Sequence, residues 1–323
     1  MPDSCVYFPS SPHQSCGLGA GLASDPRDMA HARPAIHMTI AKFAIRSLHA
    51  ELVLYPKPGL VSPVDNGSHN DMDSRLFMRS IFSLRHYFFQ MAQAGAAAAP
   101  FKQLQQFGRE AEHTMLRATG GINTHRGAIF SLGLLCAAAG HLVQQHASSR
   151  YRQAMTAEDL RHTLLALWGQ ALAMHSITHS DDSNGLRAAS KYRVSGAREE
   201  AARGFPSVFE IALPRLRQTL AAGRSNSEAQ IDALFSLMAS MHDTNIYHRG
   251  GSGAADLVRH SAQQFLAADG TAQADWHASA THCHQLFVQR RLSPGGAADL
   301  LSATWFVHLL TECNSDGNQL LHG

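Results

Sequence analysis

The chain has 323 residues, 45% of them hydrophobic and 16% charged, with a formal net charge of +2. That apolar content with so little net charge excludes disorder for the bulk of the chain. It also gives no field of the kind that draws nucleic acid. Histidine is unusually abundant, with 21 copies against 25 acidic residues.

Residues 1–34 hold five of the 12 prolines, interleaved with Ser, Gly and His, and read as a flexible tail. A folded unit is expected from Ala35 to the end of the chain (35–323). Ile36, Ile40, Phe43, Ala44, Leu48 and Leu52 fall on one helical stripe. Pro56 and Pro58 cannot continue that helix, and a polar turn follows from Gly59 to Asp73. Leu76, Ile81, Leu84, Phe88 and Met91 predict a second helix, closed by Gly95 or Pro100. Further helices are predicted over 101–118, 125–146, 156–178, 206–222, 227–244, 253–267, 273–290 and 295–312. Thr156 with Asp159 and Ser225 with Glu228 match the capping box, and Ser293-Pro294 places a capping serine before a proline at a helix start. No run of alternating β-branched residues and no solenoid repeat interrupts this rhythm. The expected fold is therefore all-α: one globular domain of about ten helices, with functional loops at helix ends.

Residues 127–143 are the most apolar stretch. They contain three glycines, a serine and a histidine, and fall short of the roughly 20 apolar residues a membrane span needs. They read as a buried core helix, so no membrane association is expected. The first 22 residues lack the basic and apolar regions of a signal peptide. Cys5, Cys16, Cys136, Cys283 and Cys313 are odd in number and without metal or redox spacing, which predicts a reducing cytoplasm.

Five polar segments break the helical pattern. The first runs from Lys57 through Asp65, His69, Asp71 and Asp73. A loop of this length is usually functional or disordered, and Asp71 and Asp73, one residue apart, could face one oxygen-seeking cation such as Mg²⁺. Asp73 or Ser68 could equally cap the next helix. The second, Gly120-Gly121-Ile122-Asn123-Thr124-His125-Arg126-Gly127, runs into the apolar helix; a helix N-terminus is a ready anion site and Arg126 suits phosphate, while Thr124 could be a plain N-cap. The third, Met241 to Gly253, joins His242, Asp243, Asn245 and Arg249 to a glycine turn. The fourth is Ser293 to Leu301, which reads equally as a tight capped turn. The fifth, Gly196 to Val208, reads as a solvated charge run after a surface loop at Asp181–Asn184. Walker-type phosphate loops, HExxH, GxSxG and CxxC motifs are all absent.

Together these segments resemble the triphosphoribosyl-dephospho-CoA synthase family. The matching pieces are Tyr55-Pro56-Lys57-Pro58-Gly59-Leu60-Val61, Gly67-Ser68-His69-Asn70-Asp71-Met72-Asp73 and Asn123-Thr124-His125-Arg126-Gly127-Ala128-Ile129-Phe130. Gly204-Phe205-Pro206-Ser207, Asp243-Thr244-Asn245 with Arg249-Gly250-Gly251, and Ser293-Pro294-Gly295-Gly296 also match, in the family's order. The resemblance implies transfer of the triphosphoribosyl group of ATP to 3′-dephospho-CoA with release of adenine. The product is the precursor of a prosthetic group, passed to a holo-acyl-carrier-protein synthase. The run Val61 to His69 looks more like the malonate decarboxylase branch than the citrate lyase branch. Two features depart from the family: Glu199 stands where the family usually has glycine, so Glu200 is given no catalytic role, and the tail has no counterpart.

Breaking an N-glycosidic bond builds positive charge on the sugar. The triphosphate must be neutralised, the acceptor hydroxyl must lose a proton, and adenine must gain one. Mg²⁺ on Asp71, Asp73 and Asp243 is the expected cofactor. Lys57, Arg126 and Arg249, with Asn123, Thr124 and Asn245, are the expected substrate contacts. Glu51, His69 and His125 are the candidates for proton transfer. Two other readings stand beside this one: a helical metal-dependent phosphohydrolase, suggested by His242-Asp243, and a non-catalytic partner of a carrier protein. A homo-oligomer stands among the candidate partners.

Overall fold

The computed structural model describes residues 26–148, 155–177 and 196–315. Among them there is no β-strand, and every regular element is helical. The expected tail boundary moves: α1 spans Pro26–Val53, so it begins before Ala35, with Pro26 as its first residue, where a proline's missing N–H costs nothing. Residues 1–25 and the Asp181–Asn184 loop lie outside the described residues.

The second predicted helix is two: α2 (Ser74–Ser83) and α3 (Arg85–Ala96), divided at Leu84. Then come α4 (Phe101–Ala118), α5 (Arg126–Ser148) and α6 (Ala157–Ile177). The charge run at 196–208 is not a solvated surface. It forms α7 (Ala197–Ala202), whose Ala201 is buried, and Phe205 and Val208 behind it are core residues. The predicted helix at 206–222 begins as a π-helix over Ser207–Ala212 and continues as α8 (Leu213–Ala221). Then follow α9 (Asn226–Ser240), α10 (Thr244–Ala267), α11 (Trp276–Gln289) and α12 (Gly295–Ser315). The third polar break is thus largely helical. Capped by Asp243, α10 starts at Thr244, nine residues before the predicted start at 253, and Gly251 (φ 72°) kinks it.

Both predicted capping boxes form. Ser225 Oγ accepts from Glu228 N at 3.2 Å, and Thr156 Oγ1 accepts from Asp159 N at 3.1 Å. The apolar helix α5 lies at the centre. It is long and apolar enough to cross a membrane by length and composition, yet 72% of its most apolar window is buried inside the protein. Its closest neighbour is α3. A Cβ at Gly95 would collide with the Ala137 backbone, and one at Gly140 with that of Ala92, so glycine on both helices permits that approach. Packing α1, α3 and α12 around α5 brings the C-terminal end of α1 and the N-terminal ends of α5, α10 and α12 to one locus.

Candidate active site

The interior of this locus is built on Lys57. The end of α1 turns at Tyr55-Pro56, and Lys57 folds back so that Nζ donates to the Glu51 carbonyl and to Glu51 Oε1, both at 2.6 Å. Lys57 is 1% exposed and Glu51 5%. Lys57 was expected to meet a triphosphate from an open loop. The structure instead makes it the interior counter-ion of Glu51, because the loop after it is drawn inward. Burial pulls its ammonium below the usual lysine range, against the opposing pull of Glu51.

The loop after Lys57 is pinned from the other end of the chain. His284 on α11 stands 2.8 Å from the Lys57 carbonyl through Nδ1 and 3.2 Å from Asp65 Oδ2 through Nε2. Ser68 Oγ donates to the Leu292 carbonyl at 2.5 Å. At Gly59 (φ 69°) any side chain would overlap that same carbonyl. His69 follows, with Nδ1 accepting from Arg249 Nη2 at 3.2 Å, so the ring proton sits on Nε2, which donates to Ser293 Oγ at 2.8 Å. Burial first, and then Arg249, push the His69 pKa down. Asp71 Oδ1 lies 3.6 Å from His69 Nδ1 on the exposed rim. Arg249 also donates to the carbonyls of Ser68 and Arg291, at 3.4 and 3.3 Å. His69, Asp71 and Arg249 therefore come together at the solvent-facing end of this locus.

Several residues expected at the site also hold helix ends. Asp73 Oδ1 accepts from Leu76 N at 2.7 Å and caps α2. Asn123, not Thr124, caps α5, through Oδ1 accepting from Arg126 N at 3.1 Å. Arg126 Nε reaches back to Glu112 on α4 at 3.0 Å. Ser293, expected to cap α12, spends its hydroxyl on His69. Asp243 holds α12 in its place: Oδ1 accepts from Asn245 N at 2.9 Å in its own helix, and Oδ2 accepts from Ala297 N at 3.1 Å. Asn245 itself is exposed beside Gly295. Asp243→Ala therefore removes the caps of two helices at once. We expect a loss of roughly 2–4 kcal/mol, summing two caps and their buried N–H groups, read as a lower thermal midpoint by circular dichroism. Glu200, given no catalytic role from sequence, accepts from Ser207 N at 2.7 Å and holds the start of the π-helix.

His125 is the least accommodated polar group. It is 3% exposed and edge-on to Phe77, with ring centroids 4.9 Å apart. Thr124 Oγ1 donates to Ser80 Oγ at 2.7 Å, and Ser80 Oγ lies 2.7 Å from His125 Nδ1. With Ser80 accepting from Thr124, its own hydrogen goes to Nδ1, which assigns the ring proton to Nε2. That Nε2 is buried without a protein partner. Burial, and then the nearby Lys57 charge, push the pKa down to about 3, so the ring is a neutral N–H donor at physiological pH.

Four contributors escaped the sequence reading. Ser80 sits inside a helix, and His284 acts on residues more than 200 positions away, so neither carries a local signal. Ser293 was read only as a cap. Asp299 lies in the fourth polar segment, but an acid near a helix start reads ordinarily as a complement to the helix dipole. In the structure the Asp299 carboxylate sits against Gly127, where a Cβ would overlap it, and it accepts from the Ala128 N–H. The cavity of about 500 Å³ between α6, the π-helix and α8 is lined by other residues and belongs to a different face.

Three helix N-termini, a buried lysine, arginines and carboxylates thus gather around a neutral histidine donor, a set of groups of the kind an enzyme of polyanionic substrates carries. The chain belongs to the CitG family, described as ATP:dephospho-CoA triphosphoribosyl transferase, whose model matches residues 37–318. It is 39% identical over 270 residues to a probable 2-(5″-triphosphoribosyl)-3′-dephosphocoenzyme-A synthase of Acinetobacter calcoaceticus, covering 84% of this chain and 90% of that one. The synthase of Klebsiella pneumoniae is 39% identical over 272 residues, covering 83% and 93%. A probable synthase of Stutzerimonas stutzeri is 37% identical over 292 residues, covering 89% and 97%. No solved structure matches the chain.

Proposed function

We propose that this enzyme transfers the triphosphoribosyl group of ATP to a ribose hydroxyl of 3′-dephospho-CoA, releasing adenine. The observation that carries this reading is the family match over 37–318, laid over a locus where the matched segments around Lys57–Asp71, Asp243–Arg249 and Ser293–Gly296 touch one another. The balance is simple: ATP without its triphosphoribosyl group is adenine. The acceptor oxygen bonds to C1 of the ribose, the C1–N bond breaks with its electron pair going to adenine, and the hydroxyl proton is made up on the base.

In this reading Arg249, with Arg126 and the rim residues Asn123, Thr124 and Asn245, meets the phosphates as they enter. His69 holds the loop against α12 so that Arg249 faces the mouth. His125 Nε2–H supplies an uncharged hydrogen bond from the floor, and the Lys57–Glu51 pair keeps the end of α1 in register. The donor set at the mouth fits magnesium. Asp71 and Asp73 are exposed carboxylates, hard oxygen ligands that would leave the ion its waters. Among the described residues no three metal-binding side chains cluster; an ion carried in by the triphosphate needs no such cluster. Asp243, whose two oxygens each accept a backbone N–H, would join Asp71 and Asp73 only through its remaining lone pairs. When bound, the ion would neutralise triphosphate charge.

The run Val61 to His69 supports service to malonate decarboxylase rather than citrate lyase, with the product consumed by a holo-acyl-carrier-protein synthase. Neighbouring genes test that branch directly. The activity itself is tested by incubating purified protein with ATP, 3′-dephospho-CoA and Mg²⁺ and separating the bases by chromatography. Free adenine in step with dephospho-CoA consumption is the expected result; ADP or AMP without adenine rejects the reading. Asp71→Ala should lower kcat/KM with helical circular dichroism unchanged, and added Mg²⁺ should recover part of the loss.

A further inference from the structure

We propose that Asp299 is the catalytic acid that delivers a proton to a ring nitrogen of adenine as the glycosidic bond breaks. The proposal rests on the adenine-releasing reading above.

Asp299 stands one turn into α12 with its carboxylate over the N-terminal end of α5, where Gly127 leaves room for it and Ala128 N–H donates to it. It is half-buried, set against Gly127 and the Ala128 N–H of α5. The buried, unpartnered Nε2 of His125 belongs to the same end of α5. Two polar groups with unused hydrogen-bonding capacity thus flank one helix start.

A plain capping role fits Asp299 poorly. Asp243 shows what a carboxylate does when it serves as a cap: both oxygens are met by backbone N–H groups from two helices. Asp299 has one such donor, and faces the charge of Glu51 and of Asp243. An ionised carboxylate is badly served there. Burial first, and then those two acidic neighbours, push its carboxyl well above the usual carboxylate range, the direction a proton donor needs. Lys57, the cation beside Glu51, already gives its hydrogen bonds to that residue.

The step balances without a co-reactant. Protonated Asp299 gives its proton to adenine as the C1–N electron pair leaves with the base. The acceptor hydroxyl bonds to C1 and releases a proton, which restores Asp299, so no net proton is gained or lost.

The test compares Asp299→Asn and wild type on two donors: ATP, and a ribose 5-triphosphate carrying p-nitrophenoxide at C1, which departs as a stable anion with no proton required. With ATP the variant should lose roughly 100- to 10,000-fold in kcat, the range of general acid catalysis. With the p-nitrophenyl donor it should stay within about tenfold of wild type. Equal losses on both donors, or no loss on ATP, would overturn the proposal. If Asp299→Asn does not fold, Gly127→Ala, which displaces the carboxylate without removing it, is read in the same way. A wild type that consumes ATP without adenine defeats the underlying reading, and this proposal with it. A wild type that releases adenine, with a variant indifferent to the leaving group, defeats the proposal alone.

Discussion

Lys57→Met is expected to abolish turnover and to remove roughly 3–5 kcal/mol of stability, the usual consequence of stripping one partner from a buried ion pair. The size of the effect follows from the geometry. Lys57 is 1% exposed and gives two 2.6 Å hydrogen bonds to Glu51, one to its carboxylate and one to its carbonyl. Methionine fills much of the same volume but leaves the Glu51 carboxylate without its hydrogen-bonded cation. The end of α1 and the loop from Lys57 to Ser68 then lose their common anchor. Chemical denaturation and steady-state kinetics measure the two effects separately. The double variant Glu51→Gln, Lys57→Met should recover most of the stability, because a pair replaced by neutral groups of similar shape is often neutral or better. It should not recover activity, since the loop carrying His69 and Asp71 is still unpinned at that end. A single variant with wild-type stability would show that Glu51 finds another partner and that the pair is dispensable.

His125→Phe should lower kcat by roughly 100- to 1,000-fold, the cost of losing one preorganised donor from a dry site, while keeping the ring volume against Phe77. His125→Gln, whose amide can place an N–H near the former Nε2, should retain more activity. The same residue shapes stability against pH. Its folded-state pKa is pushed down to about 3, against roughly 6.5 for an unperturbed histidine. Between those values the unfolded chain binds a proton that the folded one refuses. The contribution is therefore whole above about pH 6.5 and is lost as pH falls toward 3, at a slope of up to about 1.4 kcal/mol per pH unit. Urea titrations at pH 7, 6, 5 and 4 should show His125→Phe losing less stability than wild type over that interval. An unchanged slope would mean that the ring is protonated in the folded state, and a neutral donor would then be the wrong description.

Much of the architecture was legible in the sequence because it is encoded locally. Helices at 101–118 and 295–312, the capping boxes at Thr156 and Ser225, and the buried nature of 127–143 all follow from periodicity, caps and composition within one segment. The boundaries that moved did so where tertiary contacts overrode local signals. Leu84 divides α2 from α3, the π-helix replaces the first turns of 206–222, and α10, capped by Asp243, starts well before the glycine turn that had marked it.

The residue set of the site was legible as a group of motifs, but the division of labour within it was not. From the chain alone one can see that Lys57, His69, Asp71, His125, Asp243 and Arg249 stand in polar breaks between helices, and that their order resembles one family. Which of them faces substrate is a property of the interior. Lys57 turns inward because Glu51 lies one and a half turns earlier on α1 and the following loop is drawn down by His284. Asp243 became a shared cap because α10 and α12 begin side by side. His125 acquired a fixed tautomer from Ser80 on a different helix, and Asp299 its raised pKa from burial first and then from Glu51 and Asp243, residues far from it in sequence. Local sequence determined the helices, their caps and the chemical alphabet of the loops, since those depend on neighbours a few positions away. Only the tertiary structure decided which charges are paired, which donor is left unpartnered and which acid keeps its proton, because burial and long-range electrostatics act between residues the chain keeps apart.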